Sequence, residues 1–373
     1  MTSPAPLLVT RDEVLLDDVL RLAAAAGATL DVAHDTTAAL RGWPTASVVL
    51  VGEDLVSAVA DQRPAPRAGV HVLVHGTAED AVYRAALLAG AAGVVELPRA
   101  EDWLVEVLSD AADGAGAADR AARLVGVLAG SGGAGATTFA CAIGLVGAAD
   151  GPAVLVDLDP LGPGVDQVVG LDTTGGPSDG TRWDDLVGSR GRLGSRSLRA
   201  ALPRRDELAV LTWPPGAPVR LEADTVREVL GAARRGHHLV VADLPRHLGD
   251  IGVEVVARCD LVVLVAEPSV AGVVSAGRVA AQVLEVTDAV GLVVRGNGIP
   301  VPAEQVATIL DLPLVADLPD QRRLAEHLDL GLGPVHSRRS PLARAARCVL
   351  ATAHTPAQAP AQPPGQTHRR SVA

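Results

Sequence analysis

Residues 130–138 read GSGGAGATT, with glycines at 130, 132, 133 and 135 between an apolar run, Leu124 to Leu128, and a helical stretch, Thr137 to Val146. Glycines at this spacing let backbone N–H groups come close to an anion, and the helix that follows presents unpaired donors and the positive end of its dipole. The chemistry this implies is phosphate binding by Gly130, Ser131, Gly132, Gly133, Ala134, Gly135, Ala136, Thr137 and Thr138. The turn carries no lysine. Nor does the rest of the chain: all 32 basic residues are arginine.

Three later segments fall in an order that gives the turn weight. VLVDLDP, 154–160, ends an apolar run in Asp157 and Asp159, on the edge where parallel sheets bind ligands. LVVADLP, 239–245, ends another in Asp243, a place suited to a carboxylate that holds Mg²⁺ through water. LPLVADLPDQRRLAEHLDLGLGP, 312–334, puts a Pro-Asp turn and a helix at the far end of the sheet. Taken singly, each aspartate reads equally well as a helix cap or turn former. Their joint spacing behind the glycine turn favours a site.

Such residues need two sets of β/α units to position them. In the first 110 or so residues, apolar runs at Leu7 to Val9, Leu30 to Ala33, Val48 to Val51, Val70 to Val74 and Gly93 to Leu97 alternate with helical spacing at Val14 to Ala26, Asp80 to Ala89 and Asp102 to Ala112. This order resembles a response-regulator receiver domain. That resemblance implies an acidic pair, a phosphoacceptor aspartate, a hydroxyl and a lysine after successive strands. The matching positions here are Thr10 and Arg11, Gly52, His75 and Leu97, so docking without phosphotransfer is expected. Asp12, Glu13, Glu53 and Asp54 lie one or two positions away and leave the register open.

Further strands are predicted at Leu124 to Leu128, Ala153 to Val156, Leu208 to Leu211, Leu239 to Ala242, Leu261 to Val265, Gly291 to Val294 and Leu314 to Ala316. Apolar runs separated by helices argue a mainly parallel sheet covered on both faces. The expected organisation is α/β throughout. A receiver-like, doubly wound pseudo-receiver domain spans 1–112, a linker 113–123, a P-loop sheet domain 124–350, and a disordered Pro/Gln-rich tail 351–373.

The glycine turn and the three later segments together resemble the MinD/ParA family of deviant Walker ATPases, over about residues 124 to 335. With the pseudo-receiver in front, the whole looks like CpaE and its actinobacterial relatives, associated with septum-site determination or Tad-type pilus secretion. In that family the loop is usually KGGxGKT. Gly132, Gly133, Gly135 and Thr137 match, while Ser131 replaces the signature lysine and Ala136 the phosphate-gripping lysine. The resemblance implies ATP and Mg²⁺ as cofactors, Thr137 and Asp243 as metal ligands, and Asp157 or Asp159 as the residue that orients the attacking water. It also puts Arg295, with Asn297 nearby, where an asparagine often reads adenine.

A unit charge about 4 Å from a phosphate oxygen contributes roughly 4 kcal/mol at an effective dielectric of 20, before desolvation. Two such charges are absent. A cation supplied to the transition state of phosphate hydrolysis is worth about 10³ to 10⁵ in rate. Hydrolysis is therefore expected to be slow or absent, with weak Mg·nucleotide binding surviving, so the cofactor site is vestigial.

Composition narrows the classes further. Of 373 residues, 48% are hydrophobic but only 2% aromatic, so the core is built from Ala, Val and Leu. The net charge of −12 weighs against a protein that coats nucleic acid. Arg182, Arg190, Arg192, Arg196, Arg199, Arg204 and Arg205 cluster, but interspersed acids make a solvated face the expected outcome. Cys141, Cys259 and Cys348 form no CxxC pair and read as reduced thiols. No leader or spanning segment is read, so the chain is expected in the cytoplasm, with peripheral contact at the inner membrane face or septum as a further possibility.

A MinD-like membrane helix has its counterpart in Ser340 to Ala351, where Leu342, Ala346, Val349 and Leu350 share a face opposite Arg344 and Arg347. That face is short, and packing onto the domain is the favoured expectation. The leading reading is a regulatory scaffold or switch, able to form a homodimer, whose partners are proteins of the division or pilus-secretion machinery. Two others stand beside it: an active ATPase dimerising around ATP with arginine in place of lysine, and a DNA-binding partition protein.

Overall fold

The computed structural model describes residues 5–114, 122–171, 180–188, 193–296 and 301–353. In the first stretch strands and helices alternate: β1 (Leu7–Val9), α1 (Glu13–Ala26), β2 (Asp31–Ala33), α2 (Thr36–Gly42), β3 (Val49–Gly52), α3 (Glu53–Asp61), β4 (Val70–His75), α4 (Asp80–Leu88), β5 (Gly93–Leu97) and α5 (Glu101–Gly114). The strands pair in parallel in the order β2-β1-β3-β4-β5. Parallel neighbours require crossovers, and these cover both faces of the sheet. Leu15, Val19 and Leu22 of α1 meet Leu104 and Leu108 of α5 on one face. Val56 and Val59 of α3 join Ala85 and Ala86 of α4 on the other. Covered twice, β1 and β3 are buried at every residue and read as unbroken apolar runs.

The second sheet follows from β6 (Arg123–Ala129), α6 (Ala136–Gly147), β7 (Ala153–Asp157), α7 (Val165–Val169), α8 (Trp183–Leu186), α9 (Ser195–Ala201), β8 (Arg204–Arg205), β9 (Leu208–Leu211) and α10 (Ala223–Gly236). It continues with β10 (Leu239–Leu244), α11 (Gly249–Val256), β11 (Leu261–Ala266), α12 (Val270–Leu284), β12 (Val290–Arg295), α13 (Ala303–Leu310), β13 (Leu314–Leu318), α14 (Leu324–Asp329) and α15 (Pro341–Ala353). The strand order is β13-β12-β11-β6-β10-β7-β9-β8, parallel except for β8. Helices α8 to α13 cover one face. Helices α6, α7, α14 and α15 cover the other.

Where sequence and structure differ, the reasons are local. Strand β8 was not expected: its two arginines lie at the sheet edge, where charged, short strands discourage pairing with other chains. The segment expected as a linker begins inside α5, which continues to Gly114, and β6 starts at Arg123; residues 115–121 lie outside the described ones. Likewise α15 runs to Ala353, into the expected tail, whose remainder from 354 lies outside the described residues.

The amphipathic face at the C-terminal helix is covered. Leu342, Ala346 and Val349 are buried against the α6 side of the sheet, with Arg344 and Arg347 exposed. Among the described residues no helix is long and apolar enough to cross a membrane.

The two sheets meet at a buried acid. Asp110 on α5 accepts from the Ser195 backbone N–H at 3.1 Å and the Ser195 hydroxyl at 2.5 Å, and Arg235 Nε of α10 lies 2.7 Å away. Asp110 and Ser195 are both almost fully buried. A carboxylate is tolerated there because each oxygen has a charged or hydrogen-bonding neighbour.

Candidate functional site

The glycine turn follows the central strand β6 and leads into α6. Gly130 donates to Val265 O at 2.8 Å, and a Cβ on Gly130 would press on Ala276, so the turn is fastened to β11 and α12. Gly133 and Gly135 both adopt left-handed backbone, φ 84° and 87°, which explains glycine at each. The first intrahelical bond of α6 is Phe139 N–H to Gly135 O. The N–H groups of Ala136, Thr137 and Thr138 therefore have no intrahelical acceptor, and no side chain caps this helix. Ser131 Oγ is buried without a hydrogen-bond partner.

The carboxylates come from β10, which pairs with β6, and from β7 on its far side. Asp243 sits within β10 rather than beyond its end, facing Asp157 across the parallel pair β10 and β7. Both are buried, 2% and 1% exposed. Asp157 is satisfied from inside the fold: it accepts from the Thr212 hydroxyl at 2.7 Å, Asp159 N–H at 3.1 Å and Val165 N–H at 3.3 Å. Burial still pushes its carboxyl up to about 6, against the opposing pull of these hydrogen bonds.

Asp243 has less support. Its Oδ2 is buried without a hydrogen-bond partner. Burial first, and then the charge of Asp157, push its carboxyl up to about 8, with the Thr137 side chain pulling it part of the way back. Asp159 lies at the surface end of the same edge and caps the following turn through Leu161 N–H at 3.1 Å.

The pair Thr137 and Asp243 suits a hard cation. Two oxygen donors at a helix start, one an orphaned carboxylate oxygen, fit Mg²⁺, which keeps several waters and shares the rest of its shell with phosphate. Among the described residues no group of three or more His, Cys, Asp and Glu forms a metal cage.

Two arginines approach the turn. Arg295, at the end of β12, donates from Nη1 to Gly133 O and Ala134 O, both at 3.2 Å, and its Nε lies 3.2 Å from Asp320 Oδ1 in the Pro-Asp turn after β13. Arg246, just past β10, brings its guanidinium 3.9 Å from where a Gly132 Cβ would stand. Sequence reading put Arg295 at this edge but missed Arg246, whose only signal is its place three residues after Asp243. It also missed Thr212, which approaches Asp157 through the fold from 55 residues away. Asn297 lies outside the described residues.

The receiver-like edge is arranged differently. Gly52 ends β3, and a Cβ there would collide with Asp54 Oδ1 and crowd Thr10 Oγ1. Asp54 accepts from the Thr10 hydroxyl at 2.8 Å and Arg11 N–H at 2.7 Å. Asp12 caps α1, while Glu13 and Glu53 are exposed in first turns of helices.

Of the arginine-rich segment, Arg182, Arg199 and Arg205 engage the chain itself, while Arg196 and Arg204 are exposed. Arg182 pairs with Asp166 at 2.9 Å and donates to Trp213 O at 2.9 Å; Arg205 donates to Val169 O and to Leu332 O. Arg199 stands 3.8 Å from Glu207. Arg190 and Arg192 lie outside the described residues. Arg182 and Trp213 also line a cleft of about 260 Å³ beside Pro160 and Gly162.

In architecture this is an α/β chain that joins a receiver-like parallel sheet to a larger, P-loop-type sheet. The family model described as Rv3660c-like, CheY-like N-terminal domain matches residues 9–119. The uncharacterized protein Rv3660c of Mycobacterium tuberculosis H37Rv is 38% identical over 344 residues, spanning 91% of this chain and 95% of that protein. The uncharacterized protein MT3760 of M. tuberculosis CDC 1551 gives the same figures. The chain belongs to the Rv3660c-like family.

Among solved structures, a ParA family ATPase from Chlorobium tepidum superposes with a TM-score of 0.53 at 17% identity, over 63% of this chain and 98% of its own. This likeness is one of fold. The MinD cell division protein of Aquifex aeolicus gives 0.49 at 19% identity, over 62% of this chain and 98% of its own.

Proposed function

We propose that the chain is a CpaE-like regulatory protein with a degenerate, deviant Walker-type loop. In this reading 130–138 bind Mg·ATP weakly and turn it over slowly or not at all. The observation that carries the reading is Asp243: a buried carboxylate oxygen without a partner, beside the first turn of an uncapped helix that follows a glycine turn. A buried carboxylate oxygen without a partner is costly, and a cation held there would remove that cost. Thr137 and Asp243 would hold the Mg²⁺, which when bound neutralises phosphate charge. The backbone of Gly132 to Thr138 orients the phosphates, and Asp159, the more exposed of the two later carboxylates, is the better placed to meet water.

The missing lysines separate binding from turnover. Backbone donors support the ground state, whereas the rate increment of a transition-state cation is absent from the loop. We further place the protein as a switch or scaffold in the cytoplasm, peripheral at the inner membrane face or septum. Its partners would be division or pilus-secretion proteins, and two copies would meet over the bound nucleotide. Membrane contact does not run through α15, whose apolar face is packed within the domain. DNA binding is disfavoured by the engagement of Arg182 and Arg205.

The test is phosphate release by purified protein together with binding of a fluorescent ATP analogue. Expected are Mg-dependent binding and phosphate release near background. Turnover comparable to lysine-containing relatives, abolished by Asp243→Ala, would replace the scaffold with an active ATPase.

A further inference from the structure

The loop has lost its own cations, yet positive charge reaches it from two other strands. Arg295 grips the carbonyls of Gly133 and Ala134 and is held from behind by Asp320. In a trans peptide the C=O and the next N–H point opposite ways. Fixing Ala134 O toward Arg295 therefore turns the Gly135 N–H away from that side chain. A Cβ at Gly135 would lie only 2.6 Å from Arg295 Nη1, so the left-handed glycine is also required by the clamp.

Arg246 differs in kind. It is exposed, it forms no hydrogen bond or ion pair among the described residues, and its Nη1 stands close to Gly132. It leaves β10 three residues after Asp243, a buried residue on the same edge whose Oδ2 has no hydrogen-bond partner. A free guanidinium, a row of backbone donors and an orphaned carboxylate that calls for a cation together match a metal-bound polyphosphate group.

We propose that Arg246 and Arg295 take over the role of the absent loop lysines, Arg246 by meeting the phosphates of a Mg-bound nucleoside triphosphate and Arg295 by clamping the loop so that its N–H groups face them. This rests on the reading of 130–138 as a phosphate site and adds the source of its charge. Arg246 is a ligand-contacting residue; Arg295 is a positioning residue.

The experiment is equilibrium binding of two probes, a fluorescent ATP analogue with Mg²⁺ and inorganic tripolyphosphate with Mg²⁺, to the full chain and its variants, with melting temperatures measured in parallel. Arg246→Gln is expected to weaken both probes about tenfold or more, about 1.4 kcal/mol, without moving the melting temperature, and to flatten the salt dependence of binding. Arg246→Lys should recover most of the loss. Arg295→Gln should weaken both probes and lower the melting temperature, and Arg295→Lys should not rescue it, because one ammonium cannot reproduce the planar fork that meets two carbonyls and a carboxylate.

Binding unchanged in both glutamine variants but abolished by Asp243→Ala would overturn the arginine assignment while leaving the phosphate site intact. Loss of the ATP analogue alone in Arg246→Gln would overturn the phosphate contact in favour of one to base or ribose. Failure of the wild-type chain to bind either probe would remove the phosphate site, and the arginine assignment with it.

Discussion

The two sheets present the same kind of edge, the C-terminal ends of parallel strands, and treat acidic residues there in opposite ways. On the receiver-like edge, Asp54 lies at the surface and both of its oxygens are taken, by Thr10 and by Arg11 N–H, in a space that Gly52 keeps clear. On the larger sheet, Asp243 is buried, faces a second carboxylate across the strand pair, and keeps an oxygen without a partner. The cheap acid is satisfied and the expensive one is not. Folding alone gives no reason to keep Asp243 in such a place, since a buried acid beside a like charge opposes stability. The receiver-like edge is closed on itself, whereas the edge left electrostatically incomplete is the one proposed to take a ligand.

The contrast sharpens most at Ala136. Replacing it with lysine returns a charge to the loop, and at about 4 Å from phosphate that charge contributes up to roughly 4 kcal/mol before desolvation. Ala136→Lys is expected to tighten Mg·ATP by at least about tenfold in a fluorescence titration. Unchanged affinity would mean that the loop does not face phosphate.

Next in size is the joint between the sheets. Asp110→Ala leaves Arg235 and the Ser195 N–H without their buried acceptor and is expected to cost about 3 kcal/mol in denaturant unfolding, below the upper range for buried pairs because Arg235 is partly exposed. A change near zero would show that the two sheets are stable without this contact.

His237 gives a pH dependence. Burial holds its imidazole down to about 4, helped by the charges of Arg199 and Arg204, and its Nδ1–H donates to Ala233 O at 3.0 Å. Its folded value lies below the ordinary 6.5, so the stabilisation is present above about pH 6.5 and is lost as pH falls from there toward 4. The loss amounts to about 3 kcal/mol at most. His237→Leu should flatten unfolding free energy over that window; an unaltered slope would assign the acid sensitivity to other groups.

The smallest expected effect separates the two edges directly. Asp54→Ala removes two surface hydrogen bonds and should cost about 1 kcal/mol, with no change in nucleotide binding. Asp243→Asn should do the reverse, stabilising the ligand-free chain by about 1 to 2 kcal/mol in a thermal melt by removing an acid that burial forces to stay protonated at neutral pH.

Much of this is legible in the sequence. Strands buried on both faces leave unbroken runs such as Leu261–Ala266, and every strand read in the larger sheet falls within an observed one. The glycine turn and its three aspartates were equally plain. Helices α2 and α3 are implied by the alternation of β/α units but were not located from sequence, although Asp35 ahead of α2 is a regular capping signal and accepts from Ala38 N–H. Invisible from sequence were the pairings that cross the fold: Thr212 with Asp157, Arg182 with Asp166, Asp110 with Ser195. Residue type and spacing report what one strand or helix faces. They do not report which distant side chain arrives there, and that is why the state of Asp243, orphaned where Asp157 is satisfied, came only from the structure.

The most direct test is a titration of the full chain with a fluorescent ATP analogue, with and without Mg²⁺, comparing wild type, Asp243→Ala and Asp54→Ala. Saturable binding that needs Mg²⁺, disappears in Asp243→Ala and persists in Asp54→Ala is the predicted result. Binding indifferent to both Mg²⁺ and Asp243→Ala, or no binding by the wild-type chain, would contradict it.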